Sequence, residues 1–125
     1  MTDAELIAVA NTLVGGFRTS DDCVAGGVAA AILSRSGHVY TGICIDTGSS
    51  MGFCAEHAAV AEMMKARESE IVCVVAVTET DIIPPCGRCR EFMWQLNPAN
   101  RAARVIVSRD DVRTLAELLP HPSSA

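Results

Sequence analysis

The chain has 125 residues, half of them hydrophobic, 20% charged and only five aromatic. That bounds it to a single domain, is too apolar for disorder, and offers no 18-residue apolar run for a membrane span. A formal charge of −5 and a pI near 5.0 argue against nucleic acid or an anionic lipid surface as partner and leave a small molecule.

The first elements are legible from spacing. Thr2 to Val14 is expected as a helix: Thr2 and Glu5 have capping-box spacing, Leu6, Ile7, Ala10, Leu13 and Val14 form an apolar stripe, and Gly15-Gly16 stops it. The acidic start carries no secretory signal, which predicts a cytoplasmic protein whose six cysteines are reduced, buried or metal-bound. Val24 to Leu33 and Val39 to Ile45 are apolar runs joined by Ser34-Arg35-Ser36-Gly37, a hairpin signal. Asp46 to Phe53 is polar and glycine-rich, hence a loop, and Cys54 to Arg67 has helical periodicity.

In the second half, Ile71 to Val77 is a β-branched run that fits a buried strand. Pro84-Pro85 breaks the chain, and Cys86 to Leu96 is expected as a short helix stopped at Asn97-Pro98. Val105 to Val107 is expected as a strand and Val112 to Leu119 as a last helix, leaving a domain of 1–120 and a polar tail, 121–125. The order α-β-β-α-β-α-β-α implies an α/β fold, a mixed sheet with helices on its faces. Alanine is the commonest residue. A small domain with few rings often completes its burial by self-association.

Two constellations carry chemistry. Cys54-Ala55-Glu56-His57 opens one helix and Pro85-Cys86-Gly87-Arg88-Cys89-Arg90 opens another. Both put thiols at a helix start, where free N–H groups and the dipole favour thiolate. Three facing thiolates, from Cys54, Cys86 and Cys89, suit Zn²⁺ and leave a fourth position for water. Glu56, two residues from Cys54, can reach that water and move its proton without being a ligand.

These segments resemble the signature of zinc nucleoside deaminases in its Cys₃ form. From about Val28 to Pro120 the chain is similar to the small cytidine deaminase family, which includes the blasticidin-S deaminases. Gly37-His38-Val39-Tyr40-Thr41-Gly42 and Leu118-Leu119-Pro120 extend the likeness. The resemblance implies a three-layer α/β/α sandwich around a mixed five-stranded sheet, and a homotetramer. It also implies hydrolytic removal of the exocyclic amine of a cytosine-type base, held by the backbone N–H groups of Ala55 and Cys86 and the carbonyl of Pro84.

The departures concern the sugar. Cys44 and Asp46 stand where the family carries Asn and Glu for the ribose hydroxyls, Gly26 stands where an aromatic is common, and His57 replaces an Arg. Gly26 is expected to widen the pocket beside the sugar. Cys44 either touches substrate or packs in the core, Asp46 either contacts the sugar or is solvated, and Phe53 either stacks on the base or seals the helix start. Cys73 fits a buried small hydrophobe, and His38 and His121 fit solvated positions. One of Arg88 and Arg90 is expected on the zinc thiolates, because three thiolates over-neutralise Zn²⁺ to a net −1.

The competing reading is a non-catalytic module with a closed Cys₃His zinc made by Cys54, His57, Cys86 and Cys89. Such a site has no use for Glu56 or for a proline directly before the second pair. A redox Cys86-x-x-Cys89 has no use for Cys54. Nucleic-acid editing finds no basic-aromatic stripe in this acidic chain.

Overall fold

The computed structural model describes residues 1–124; of the tail at 121–125, Ala125 lies outside the described residues. Helix α1 (Asp3–Asn11) begins at the capping box, with Thr2 Oγ1 accepting from Glu5 N at 3.1 Å and Glu5 Oε1 from Thr2 N at 3.0 Å. It ends at Asn11, three residues short of the expected Val14. Strand β1 (Phe17–Ser20) follows, unforeseen because every residue in it is exposed and no alternation marks it.

The hairpin is β2 (Cys23–Ser34) and β3 (Val39–Thr47), and β4 (Ile71–Val77) lies antiparallel on the other side of β2. Two-residue β5 (Ile82–Ile83) pairs with the end of β4, β6 (Arg104–Ser108) runs parallel to β4, and β7 (Asp111–Thr114) is antiparallel to β6. The mixed sheet therefore has seven strands, not five. The five expected positions are β3-β2-β4-β6-β7, and the short β1 and β5 extend β2 and β4 at stretches their longer neighbours leave unpaired.

The last helix also differs from expectation. Val112 to Thr114 belongs to β7, and α4 (Leu115–Leu118) starts only after Thr114, which with Glu117 forms a second capping box. Pairing with β6 claims these residues, and the cap fixes where the helix begins.

Side chains of the central strands alternate between two cores. Ala29, Ala31, Cys73, Val75 and Val77 join Leu6 and Ala10 of α1 on one face. Ala30, Ile32, Val74 and Ala76 join residues of α2 (Ala55–Lys65), α3 (Gly87–Leu96) and α4 on the other. Burial on both faces explains why β4 reads as an unbroken apolar run. The result is a three-layer α/β/α sandwich.

Asn100, fully buried, ties α3 to β4. Its Oδ1 accepts from Ile71 N at 2.7 Å, and its Nδ2 donates to the carbonyls of Ser69 and Met93, each at 3.0 Å. In the tail, Ser123 N donates to Glu91 Oε1 at 2.6 Å.

Candidate active site

Helices α2 and α3 begin beside each other, and each presents a cysteine at its N-cap: Cys54 for α2 and Cys86 for α3. Cys89 follows in the first turn of α3. The sulfurs of Cys54 and Cys86 are 3.6 Å apart and those of Cys86 and Cys89 3.5 Å, with all three within 4.8 Å of one another. Sulfurs bonded at ~2.3 Å to one tetrahedral zinc lie ~3.8 Å apart, so the trio fits that ion.

The electrostatics point the same way. Burial pushes the Cys54 thiol up, and neighbouring Cys86 adds to it. Burial, then the charge of Glu56, pushes Cys89 up. At Cys86 burial opposes ionisation, but the N–H groups of Cys89 and Arg88 and the adjacent thiols outweigh it and bring the thiol down. Three thiols in contact cannot all ionise without a cation among them, and a divalent soft-tolerant ion meets that requirement.

Glu56 is 4% exposed and lies beside this cluster. Burial raises its carboxyl above the ordinary 4.5, partly opposed by its own backbone N–H and by Cys89. A buried carboxyl raised above its ordinary value holds a proton more readily than a solvated one, which suits a group that must accept and return it.

Glu56, Cys54 and Cys86 line a cavity of about 470 Å³. Cys44, Asp46, Phe53, Ala55, Pro84 and Arg88, all singled out from the sequence, line it too. Val28, Thr47, Ser50 and Ile83 were not anticipated; they bear no chemical signature, although the Thr47 hydroxyl is buried without a partner. Cys44 is both buried and on the cavity wall. Its sulfur accepts from Val28 N at 3.2 Å and sits 3.7 Å from Asp46 Oδ2. Phe53 is tied to β3 by reciprocal backbone hydrogen bonds with Ile45, 2.9 and 3.0 Å.

Gly26 does not border the cavity. It sits in a bulge of β2 at φ +82°, its carbonyl accepting from Gly15 N at 2.8 Å, and a Cβ there would lie 2.3 Å from the Gly15 carbonyl oxygen. The glycine serves the bulge, which turns the Val28 N–H toward Cys44.

Of the two arginines expected on the thiolates, Arg90 is engaged elsewhere and Arg88 stays beside the site. Arg90 donates from Nε to the Pro85 carbonyl at 2.8 Å and from Nη1 to the Leu118 carbonyl at 3.2 Å, bracing the loop that carries Cys86. Arg88 is exposed at the cavity rim. Instead, His57 Nδ1 lies 3.4 Å from Cys89 Sγ. His38 is exposed, as expected, but hydrogen-bonded to Ser36 and Glu68, and Cys73 is buried in the α1-facing core.

Comparison with known proteins agrees with this geometry. The family model for the cytidine and deoxycytidylate deaminase zinc-binding region matches residues 3–107. The chain is 33% identical over 97 residues to a cytidine deaminase of Halalkalibacterium halodurans, 74% of each chain being covered. The crystal structure of cytidine deaminase from Burkholderia pseudomallei superposes with a TM-score of 0.75 at 27% identity, covering 98% of this chain and 99% of that one. In fold, the chain also resembles cytidine deaminase from Mycobacterium tuberculosis, with a TM-score of 0.82, 24% identity and full coverage of both chains. Three thiols poised for zinc, a buried carboxyl beside them and a family match over most of its length lead to one assignment: the chain belongs to the cytidine and deoxycytidylate deaminase zinc-binding family.

Proposed function

We propose that the protein is a zinc-dependent hydrolytic deaminase that removes the exocyclic amine of a cytosine-type base and releases ammonia. The observation that carries this reading is the buried Glu56 carboxyl facing the same cavity as the three-thiol cluster. Cys54, Cys86 and Cys89 hold the ion, which when bound lowers the pKa of water toward ~7. Glu56 takes one proton of the attacking water and delivers it to the ring nitrogen beside the amine, then takes the second proton from the added hydroxyl and delivers it to the amine. The C–N bond breaks as the carbonyl forms, so one water is consumed for each ammonia released.

In this reading the N–H groups of Ala55 and Cys86 and the carbonyl of Pro84 orient the base, and Phe53 covers it. The closed Cys₃His alternative finds little support: His57 Nδ1 reaches Cys89, but neither of its nitrogens joins the mutually close sulfur trio. Cys44 and Asp46 take up the substituent on the base, which need not be ribose; a nucleoside analogue such as blasticidin S is among the candidates. The single catalytic domain runs over 1–120, the working assembly is a homotetramer, and the location is cytoplasmic. Free cysteines and an acidic net charge support the last, and exposed Met51, Met64 and Phe92 support the assembly. No described helix is long and apolar enough to cross a membrane.

Ammonia release measured across cytidine, deoxycytidine, cytosine and blasticidin S tests the proposal. Turnover of at least one is expected, and none with a zinc-loaded protein would overturn it.

A further inference from the structure

We propose that His57 is a positioning residue of the metal site: its Nδ1–H donates to the Cys89 sulfur while Phe92 holds the imidazole plane. The ring thereby fixes and partly discharges one thiolate instead of taking the fourth coordination position.

Three observations converge on this role. First, Nδ1 lies 3.4 Å from Cys89 Sγ. A metal-bound thiolate carries no proton and can only accept, so a hydrogen bond across this distance puts the proton on Nδ1, and in that tautomer the nitrogen has no lone pair to offer an ion. Second, among the described residues the close ligand set contains the three sulfurs and neither nitrogen of His57. Third, the imidazole stacks on Phe92, centroids 4.4 Å apart and planes 6° from parallel. Cys89 and Phe92 are one turn apart on α3, whereas His57 is on α2. The ring is therefore clamped between the sulfur it contacts and an aromatic face on the same helix.

The charge balance supplies the reason. Three thiolates leave Zn²⁺ at a net −1, which blunts its pull on water. Arg90 is committed to two backbone carbonyls, so among the described side chains His57 is the non-cysteine donor at these sulfurs. A hydrogen bond at sulfur draws off charge and orients the ligand, and losing such a partner typically costs ~10–100-fold in metal affinity.

The metal itself reads this out, so the test does not depend on turnover. Zinc affinity by chelator competition, and the sulfur-to-metal charge-transfer band of the Co²⁺ form, are measured for wild type, His57→Ala, His57→Asn and Phe92→Ala. Asn sets an amide N–H near the place of Nδ1. Expected for His57→Ala are ~10–100-fold weaker zinc binding at unchanged stoichiometry and a band moved to lower energy. His57→Asn should restore most of both, and Phe92→Ala should move both the same way by less. In zinc-saturated protein, kcat of His57→Ala should fall with KM unchanged.

Affinity and band unchanged in His57→Ala, or zinc stoichiometry lost outright with a nitrogen ligand gone from the Co²⁺ spectrum, would overturn the proposal. Should His57→Ala not fold, an unmoved band in both His57→Asn and Phe92→Ala would overturn the proposal, and the graded shifts would support it. The inference rests on the deaminase reading only for its kcat arm. Absent activity in wild type would sink that reading and leave both metal measurements decisive.

Discussion

Gly42 of β3 and Ala59 of α2 meet backbone to backbone: a Cβ on Gly42 would lie 2.4 Å from the Ala59 nitrogen and 2.6 Å from the Ala55 carbonyl oxygen. This contact seats the first turns of α2 directly on the strand, and with them Cys54 and Glu56 beside Cys44. Gly42→Ala must push the helix off β3, since the clash is with backbone and no rotamer relieves it. Overpacking of this kind costs about 1–3 kcal/mol or more. A lowered thermal midpoint together with reduced zinc content is expected, and a variant with wild-type stability and zinc would show that α2 can shift freely.

The metal and the proton shuttle separate by mutation. Elemental analysis should find one zinc per chain in wild type and none in Cys86→Ala, which lacks a ligand. Glu56→Gln should keep zinc and fold while kcat falls ~10²–10⁴-fold, the usual size of a lost general acid–base. More than a tenth of wild-type turnover in Glu56→Gln would remove that role.

Acid sensitivity should trace to Glu68. Hydrogen bonds from Ser36 and then Tyr40, opposed by burial and aided by His38, hold its carboxyl at about 2 instead of the ordinary 4.5. A carboxyl depressed on folding adds stability that is fully present above about 4.5 and is lost as pH falls toward about 2. Denaturant midpoints of wild type and Glu68→Gln should therefore differ at pH 6, draw together as pH falls below about 4.5, and converge only below about pH 2. Zinc loss in acid affects both proteins and drops out of the comparison. A difference constant across that range would count against the Glu68 cluster.

Substrate choice should follow the altered wall. A site built to hydrogen-bond a hydroxyl can reject an analogue lacking it by ~10⁴–10⁵-fold. Here Cys44 is a weak hydrogen-bonding group already occupied by Val28 N, and Asp46 is a methylene shorter than the family Glu. Cytidine should be turned over with a high KM, little changed when the 3′-hydroxyl is removed. A micromolar KM with a hundredfold loss for the 3′-deoxy compound would reveal an ordinary ribose site.

Assembly is checked by light scattering, with a mass near four chains of 13.2 kDa expected. Met51 is 78% exposed near the cavity mouth, and Met64 and Phe92 are exposed farther along α2 and α3. An active monomer would exclude subunits that share a site.

The capping box at Thr2 and Glu5, the β2–β3 hairpin, β4 and the starts of α2 and α3 could all be read from sequence, because each follows from spacing within a dozen residues. The sequence also singled out Cys54, Cys86 and Cys89, whose sulfurs the structure brings together, and Glu56, which it buries beside them. What escaped was non-local. β1 and β5 exist only because β2 and β4 have unpaired stretches beside them, and β7 claimed residues that looked helical.

The sequence by itself determined the chemistry: three thiols, a carboxyl between them in order, and two helix starts to carry them. Only the tertiary structure decided which groups serve that chemistry from outside. It turned Arg90 to the carbonyls of Pro85 and Leu118, brought His57 to Cys89, and gave Gly26 to a bulge that sends the Val28 N–H to Cys44. Ligand identity is a property of residue type, whereas a hydrogen-bond partner is settled by which distant strand or helix packs within about 3 Å, and spacing along the chain does not encode that.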